Sequence, residues 1–308
     1  MAAAGGPGHH SARASVPSSW RCRARGVLAL LAALFVLLCA PAARSAEPEV
    51  AALPLPELTA RLAARYGGQQ PAQWGPALTG TLTRLPASDA FGAPPAPQNG
   101  PITVALTFDA CGGGYDASII GLLRELRVPA TLFLAGTWLD AHHAEAADLA
   151  ADPLFAIANH GARHRPASVT GRAAYGIRGT RSVAEFVDEV ESNARRLASL
   201  TGVRPRFYRA ATLYCDEVAV RIAADLGQTV TGCTVAADAG ATLPAPAVAR
   251  NLLAARSGDI LLLHMNKPGA GTGAGLRAAL PELLRRGVRF VRLSDAAGAA
   301  DAAGAASR

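Results

Sequence analysis

From residue 102 onward the sequence alternates short apolar runs with longer segments of helical period, and this alternation limits the chain to very few architectures. Apolar runs of strand length fall at 102–108, 130–134, 155–159, 206–208, 229–234, 260–263 and 289–293, about seven in all. Between them, residues 118–126, 183–200, 217–226, 248–255 and 276–285 repeat apolar positions at helical spacing, which gives each segment one face to bury. Gly202, Gly227 and Gly287 each stand where a helical pattern stops just before the next strand, the place for a helix terminator. Strand and helix in regular alternation predict a parallel sheet covered by helices.

The two ends of the chain read differently. Residues 1–25 carry Arg13, Arg21, Arg23 and Arg25 with no acid, and Val27 to Ala40 is an unbroken apolar run. That run falls short of the roughly 20 residues a membrane span needs. Ala43-Arg44-Ser45 fits the small-x-small cleavage pattern, so residues 1–45 are expected to be a secretory signal, and the mature protein to be secreted or periplasmic. The alternative is an uncleaved signal anchor facing outward, the one case that would involve a membrane. Residues 46–100, rich in Pro, Ala and Gly with one amphipathic stretch at 58–66, read as a spacer or loosely packed lead-in. Residues 101–295 are expected to form one domain, and 296–308 lack any apolar period and read as a disordered tail.

The net charge of +7 is a leader effect. Five arginines (13, 21, 23, 25 and 44) lie there without an acid; removing them from 30 basic residues leaves 25 against 23 acidic ones, or +2. A nucleic-acid partner is therefore not expected. Cys22 and Cys39 leave with the leader, so Cys111, Cys215 and Cys233 remain. Cys111 and Cys215 each lie just past a strand, and a disulfide between them bracing the site is one reading.

The reactive residues fall at particular places on this ladder. Asp109 follows the first strand, His160 the third, Arg209 the fourth and His264 the sixth, while Asp238 lies a few residues beyond the fifth. In a parallel βα barrel such positions converge at the C-terminal rim, where active sites form. His160-Gly-Ala-Arg-His164 sets two imidazoles four residues apart, a spacing at which both can bind one divalent metal. Gly161 stands where the zinc-protease helix would carry glutamate, so that motif is not matched. His142-His143 suits an exposed helix better than a second metal site. Trp138 suits either a sugar-stacking role or the barrel core, and Tyr175 to Arg181 either a substrate loop or a solvated one.

Thr107-Phe108-Asp109-Ala110, Asn159-His160-Gly161-Ala162-Arg163-His164, Phe207-Tyr208-Arg209 and Leu262-Leu263-His264 occur in the order and rough spacing of the polysaccharide deacetylase, or NodB-homology, family. The sequence resembles that family, of the carbohydrate esterase family 4 type, over 102–295. The resemblance implies an α/β fold, an incomplete parallel βα barrel, that hydrolyses acetamide or ester groups on polysaccharides. It implies His160 and His164 as metal ligands, Asp109 as catalytic base, Arg209 as the arginine holding that aspartate, His264 as catalytic acid and Asp238 as the acid tuning it. The cofactor is expected to be a divalent metal, zinc first, with cobalt or nickel as alternatives. Such a metal supplies a hydroxide-like nucleophile at neutral pH and polarises the amide carbonyl. A backbone N–H would share the developing oxyanion with it.

Two departures stand out. The family's usual first motif has a second aspartate, a third metal ligand, where this sequence has Ala110. Asp109 itself, Asp116 across the Gly112-Gly113-Gly114 turn, or Cys111 could stand in, and the two carboxylates suit a divalent metal beside two imidazoles best. The other departure is Arg209-Ala-Ala-Thr-Leu-Tyr214, where the family has prolines and a tyrosine soon after the arginine; Tyr214 can still line a sugar pocket. The expected function is removal of N-acetyl groups from an amino-sugar polymer, whether peptidoglycan, chitin-like or exopolysaccharide. Hydrolysis of a small-molecule amide, or glycan binding with weakened turnover, are the alternatives. Oligomeric state is not readable from the sequence.

Overall fold

The computed structural model describes residues 53–86 and 102–296. The expected leader and all of the expected tail beyond Ala296 lie outside these residues. No helix among the described residues is long and apolar enough to cross a membrane.

In chain order the elements are α1 (Leu55–Tyr66), β1 (Thr103–Ala110), α2 (Ala117–Leu126), β2 (Ala130–Leu134), α3 (Gly136–Ala141), α4 (His143–Ala151), β3 (Phe155–Asn159) and α5 (Val183–Thr201). There follow β4 (Phe207–Tyr208), α6 (Glu217–Asp225), β5 (Thr229–Val230), β6 (Val235–Ala236), α7 (Ala245–Leu253), β7 (Ile260–His264), α8 (Gly271–Arg285) and β8 (Arg289–Val291). The sheet runs β6-β7-β1-β2-β3-β4-β5 with every pairing parallel, and β8 adds to β1 along Thr103–Ala105. It curls into a half-barrel. All seven expected strands are present in this sheet; its one strand not foreseen, β6, is two residues long. Among the described residues four more two-residue strands outside it, at Trp74–Gly75, Ala173–Ala174, Ile177–Arg178 and Cys215–Asp216, were not foreseen either.

The pleat of β1 explains how the layers divide. Val104, Leu106, Phe108 and Ala110 point outward into the apolar layer formed with α2 and α8. Ala105 points inward to Phe133, Ala158, Phe207, Ile260 and Leu293. Each large side chain fully buried this way contributes roughly 1.5–3 kcal/mol. Past the half-buried Thr103 at its start, both faces of the strand are apolar until the top of the inner face, where Thr107 and Asp109 carry buried polar groups. Gly202, Gly227 and Gly287 follow their helices at φ of +72°, +73° and +76°, the left-handed conformation expected of terminators.

The described part of 46–100 is packed rather than a loose lead-in. Leu58, Leu62 and Tyr66 of α1 are buried against α5 and α6, and the Tyr66 hydroxyl donates to Asp225 (2.9 Å). Trp74–Gly75 pairs antiparallel with Cys215–Asp216. Leu82 bridges to Thr231 and Arg84 to Asp259, and Leu85 joins the inner core. Turn-forming composition hid these pairings because they are long-range.

The Cys111–Cys215 disulfide is not formed, and all three described cysteines are free thiols. Cys215 is held beside Gly75, its Sγ facing that carbonyl (3.5 Å), while the Cys111 sulfur turns to His160. Trp138 is wholly buried, its Nε1 donating to Gly114 O (3.0 Å), which assigns it to the core. His142 packs on Trp138, with ring centroids 4.8 Å apart, and belongs to no metal cluster among the described residues.

Candidate active site

The parallel register brings the foreseen residues to one edge of the sheet. Asp109 near the end of β1 lies opposite His264 at the end of β7. Asp109 Oδ1 accepts from Arg209 Nη1 (2.8 Å), and both residues are buried. The arginine is fully committed: Nη1 also reaches Thr107 Oγ1 (3.0 Å), Nη2 donates to Gly232 O (3.0 Å) and Nε to Thr231 O (3.3 Å). Its guanidinium also lies 4.0 Å from the centroid of the Phe133 ring. Burial alone would push the Asp109 carboxyl up, but Arg209 and the neighbouring imidazoles outweigh it and hold the group below its ordinary range. Asp109 is thus an ionised carboxylate with one oxygen, Oδ2, left over.

His160 is fixed as a tautomer. Its Nδ1 donates to the carbonyl of Arg209 (2.8 Å), which leaves the Nε2 lone pair facing the site. Asp109 Oδ2 and Cys111 Sγ both lie 3.5 Å from that nitrogen. His164 approaches from the other side, ring centroids 4.7 Å apart. Burial and the proximity of His160 hold its pKa down at about 3, so the imidazole is neutral and able to ligate. Burial likewise lowers His160.

The loop carrying these histidines is shaped from α5. Gly161 has φ +80°, and a Cβ there would meet Glu189 Oε1 at 2.3 Å. The buried Glu189 carboxylate accepts Arg163 N (3.1 and 3.0 Å to its two oxygens) and Arg165 N (3.1 Å), while its backbone carbonyl accepts Ala162 N (2.8 Å). Asn193, one turn on, donates to Asn159 Oδ1 (2.8 Å), which also accepts Gly161 N (3.0 Å). With the loop gripped in this way, His164 is held at φ +56°, a conformation side-chain-bearing residues rarely adopt. Glu189 and Asn193 were not foreseen from the sequence. Their signal was present: both fall within the apolar stripe of 183, 186, 187, 190, 194 and 197, where polar side chains need a partner.

On the opposite side, His264 Nδ1 donates to Asp238 Oδ1 (2.9 Å), and Asp238 Oδ2 accepts His264 N (2.7 Å) and Thr272 Oγ1 (2.8 Å). Burial pulls the His264 pKa down, but the Asp238 hydrogen bond and the charges of Asp109 and Asp238 prevail and raise it above the ordinary value. The loosely matched Asp238 is therefore the partner of His264.

Of the three stand-ins for a ligand at 110, Asp116 is not free to act. It caps α2, its Oδ1 accepting Ser118 N (3.1 Å) and Ser118 Oγ (2.6 Å). Cys111, Asp109 and the two histidines are left, and the donor atoms of Cys111, His160 and His164 all lie within 4.8 Å of one another. Two neutral imidazoles and a sulfur at that separation fit a divalent ion of the zinc type, with Asp109 Oδ2 alongside.

No curated protein matches the sequence. The fold is similar to that of a carbohydrate esterase family 4 pseudoenzyme from Bacillus anthracis, at 21% identity and TM-score 0.54, over 63% of this chain and 65% of that one. The chain thus spans a little under two thirds of that relative. It is similar to the Bc1960 peptidoglycan N-acetylglucosamine deacetylase (22% identity, TM-score 0.54, 70% and 91% of the two chains). It is also similar to a family 4 acetyl xylan esterase from Clostridium thermocellum solved with a cobalt ion (23% identity, TM-score 0.52, 63% and 89%). Residues 96–231 match the family model described as polysaccharide deacetylase, and the fold is similar to that of the carbohydrate esterase family 4 structures.

Proposed function

We propose that this protein is an exported, metal-dependent hydrolase that removes N-acetyl groups from an amino-sugar polysaccharide. One observation carries the reading: a held, ionised carboxylate (Asp109–Arg209) and a carboxylate-tuned imidazole (Asp238–His264) flank the same Cys111–His160–His164 cluster. A site that only binds has no use for a base and an acid on either side of it.

His160 and His164, with Asp109 Oδ2 and Cys111 beside them, would hold the ion, which when bound would polarise the acyl carbonyl and acidify the attacking water. Asp109 Oδ2, the oxygen Arg209 leaves free, takes the proton of that water. Arg209 keeps this carboxylate charged and aimed. His264, its Nδ1 committed to Asp238, presents Nε2 to the leaving amine and delivers the proton without which an amine departs poorly. The raised pKa favours the protonated imidazole that this step requires.

A surface suited to sugars adjoins the site. Tyr214 sits between Trp74 (ring centroids 5.6 Å) and Tyr175 (5.7 Å), and Arg172 lies over Trp74 (5.2 Å). The Tyr214 carbonyl accepts Ala167 N (3.0 Å), three residues past His164, which ties this cluster to the histidine loop. Aromatic faces with polar edges stack on pyranose rings, and this favours a glycan over a small free amide.

The test is acetate release from N-acetylglucosamine oligomers and peptidoglycan by protein stripped of metal and then given zinc, cobalt or nickel. Release that returns with metal and is lost in Asp109→Ala and His160→Ala supports the reading. Stoichiometric metal binding with no release from any glycan points instead to binding without turnover, which Ala110 favours, or to a small-amide substrate.

A further inference from the structure

We infer that Cys111 is a protein ligand of the metal, bound as thiolate, so that the centre is Cys–His–His rather than carboxylate–His–His. The inference rests on the metal-dependent reading above and adds the identity of the third donor and the class of ion it selects.

Strand geometry gives the first argument. Side chains of β1 alternate, and Ala110 falls on the outward face, wholly buried in the apolar layer. The inward face runs Thr107, Asp109 and then, one residue past the strand, Cys111. Position 111 is thus the next on the Asp109 side. The segment is also fixed there: Thr137 Oγ1 donates to Cys111 O (2.9 Å), and Asn266 Nδ2 donates to Gly112 O.

Distances give the second. Tetrahedral zinc with Zn–S of about 2.3 Å and Zn–N of about 2.0–2.1 Å places its donors roughly 3.3–3.7 Å apart. The sulfur and His160 Nε2 are 3.5 Å apart, and all three donors lie within 4.8 Å, so a side-chain adjustment of about 1 Å closes the set. Of the competing carboxylates, Asp116 is held at the start of α2 by Ser118, and Asp109, pinned through Oδ1 by Arg209, keeps Oδ2 beside the cluster in the place the base requires.

The chemistry follows. Binding exchanges the S–H bond for a metal–sulfur bond and releases one proton to solvent. A thiolate beside two imidazoles prefers zinc and cobalt to the hard ions magnesium, calcium and manganese.

Cobalt(II) added to the metal-free full-length protein tests this directly. A sulfur-to-cobalt charge-transfer band in the near ultraviolet, present in the wild type and absent in Cys111→Ser while Cys215 and Cys233 remain, is the expected result. Zinc should also shield Cys111 alone from alkylation, read by peptide mass. Cys111→Ser should weaken zinc at least as much as the ~10–100-fold typical of losing an outer-shell partner, and Cys111→Asp should regain zinc without the band. Stoichiometric cobalt binding with no charge-transfer band, or equal zinc affinity in wild type and Cys111→Ser, overturns the inference and leaves the metal-dependent reading intact. Failure of the wild type to bind any of these ions overturns both.

Discussion

Glu189 offers the sharpest test of how the histidine loop is held. The side chain is fully buried on α5, and its carboxylate accepts two backbone donors of the loop, Arg163 N and Arg165 N. In Glu189→Ala both donors lose their acceptor, at about 1–3 kcal/mol each. Water entering beside Gly161 would recover part of that, so the expected loss is roughly 2–4 kcal/mol, a large share of the ~5–15 kcal/mol that holds a typical domain together. Glu189→Gln separates charge from geometry. Oε1 alone reaches both donors (3.1 Å each), so an amide oxygen placed there keeps one contact to each and loses the charge assistance, about 1 kcal/mol per bond. The amide nitrogen gives up the Oε2 contacts to Arg163 N (3.0 Å) and Arg163 Nε (3.6 Å). Urea unfolding of the metal-free proteins measures these costs, and zinc competition with a chelator measures the consequence at His160 and His164. The alanine variant should lose stability and zinc affinity together, with glutamine between it and wild type. An alanine variant within 0.5 kcal/mol of wild type, or one that loses stability yet binds zinc unchanged, would refute the idea that Glu189 sets the loop in its ligating form.

Three further outcomes are expected. Arg209→Met should cost about 3–5 kcal/mol in urea unfolding, because it strands a buried carboxylate, and combining it with Asp109→Asn should cost less than the sum of the two. Since Asp238 raises the His264 pKa, activity should fall as pH rises through that value, and Asp238→Asn should move this alkaline limb of kcat/KM toward lower pH; an unmoved limb would remove His264 as the acid. Trp74→Ala should raise KM for a long glycan several-fold and leave kcat for an acetylated monosaccharide near wild type, whereas equal effects on both would detach the aromatic cluster from substrate binding.

The elements with strong local periods were legible in the sequence, and so was the edge of the sheet where the reactive groups gather. Strand ends supplied Asp109, His160, Arg209 and His264, and the rule that parallel strands converge did the rest. Donor chemistry alone sets the two carboxylates ahead of Cys111, whereas the pleat running from Thr107 through Asp109 puts position 111 on the inward side. Asp116 was overvalued for the opposite reason, since its position just before a helix already gave it a capping role. Glu189 escaped notice because an acid in a long helix reads as solvated unless its place in the apolar stripe is checked. Residues 53–86 read as a spacer because their partners lie over 100 residues away, and no local pattern encodes such a pairing.

The placement of that early segment bears on solubility and on the order of folding. A half-barrel has two raw edges, here β5 and β6, whose free amides and carbonyls invite pairing with another molecule. Residues 82–85 run from the end of β5 to the segment that leads into β7: Leu82 N donates to Val230 O (2.8 Å), Gly232 N to Leu82 O (2.9 Å), and Leu85 N to Gly258 O (2.8 Å). A Cβ on Gly232 would come within 3.0 Å of the Thr83 methyl and 3.3 Å of the Pro76 carbonyl oxygen, so a side chain there would have to push its neighbours aside. The first described part of the chain is therefore a seal on strands made much later, and it docks only once they exist. A protein trimmed to begin at Ile102 would keep every group of the catalytic cluster and still leave that seam open to intermolecular strand addition.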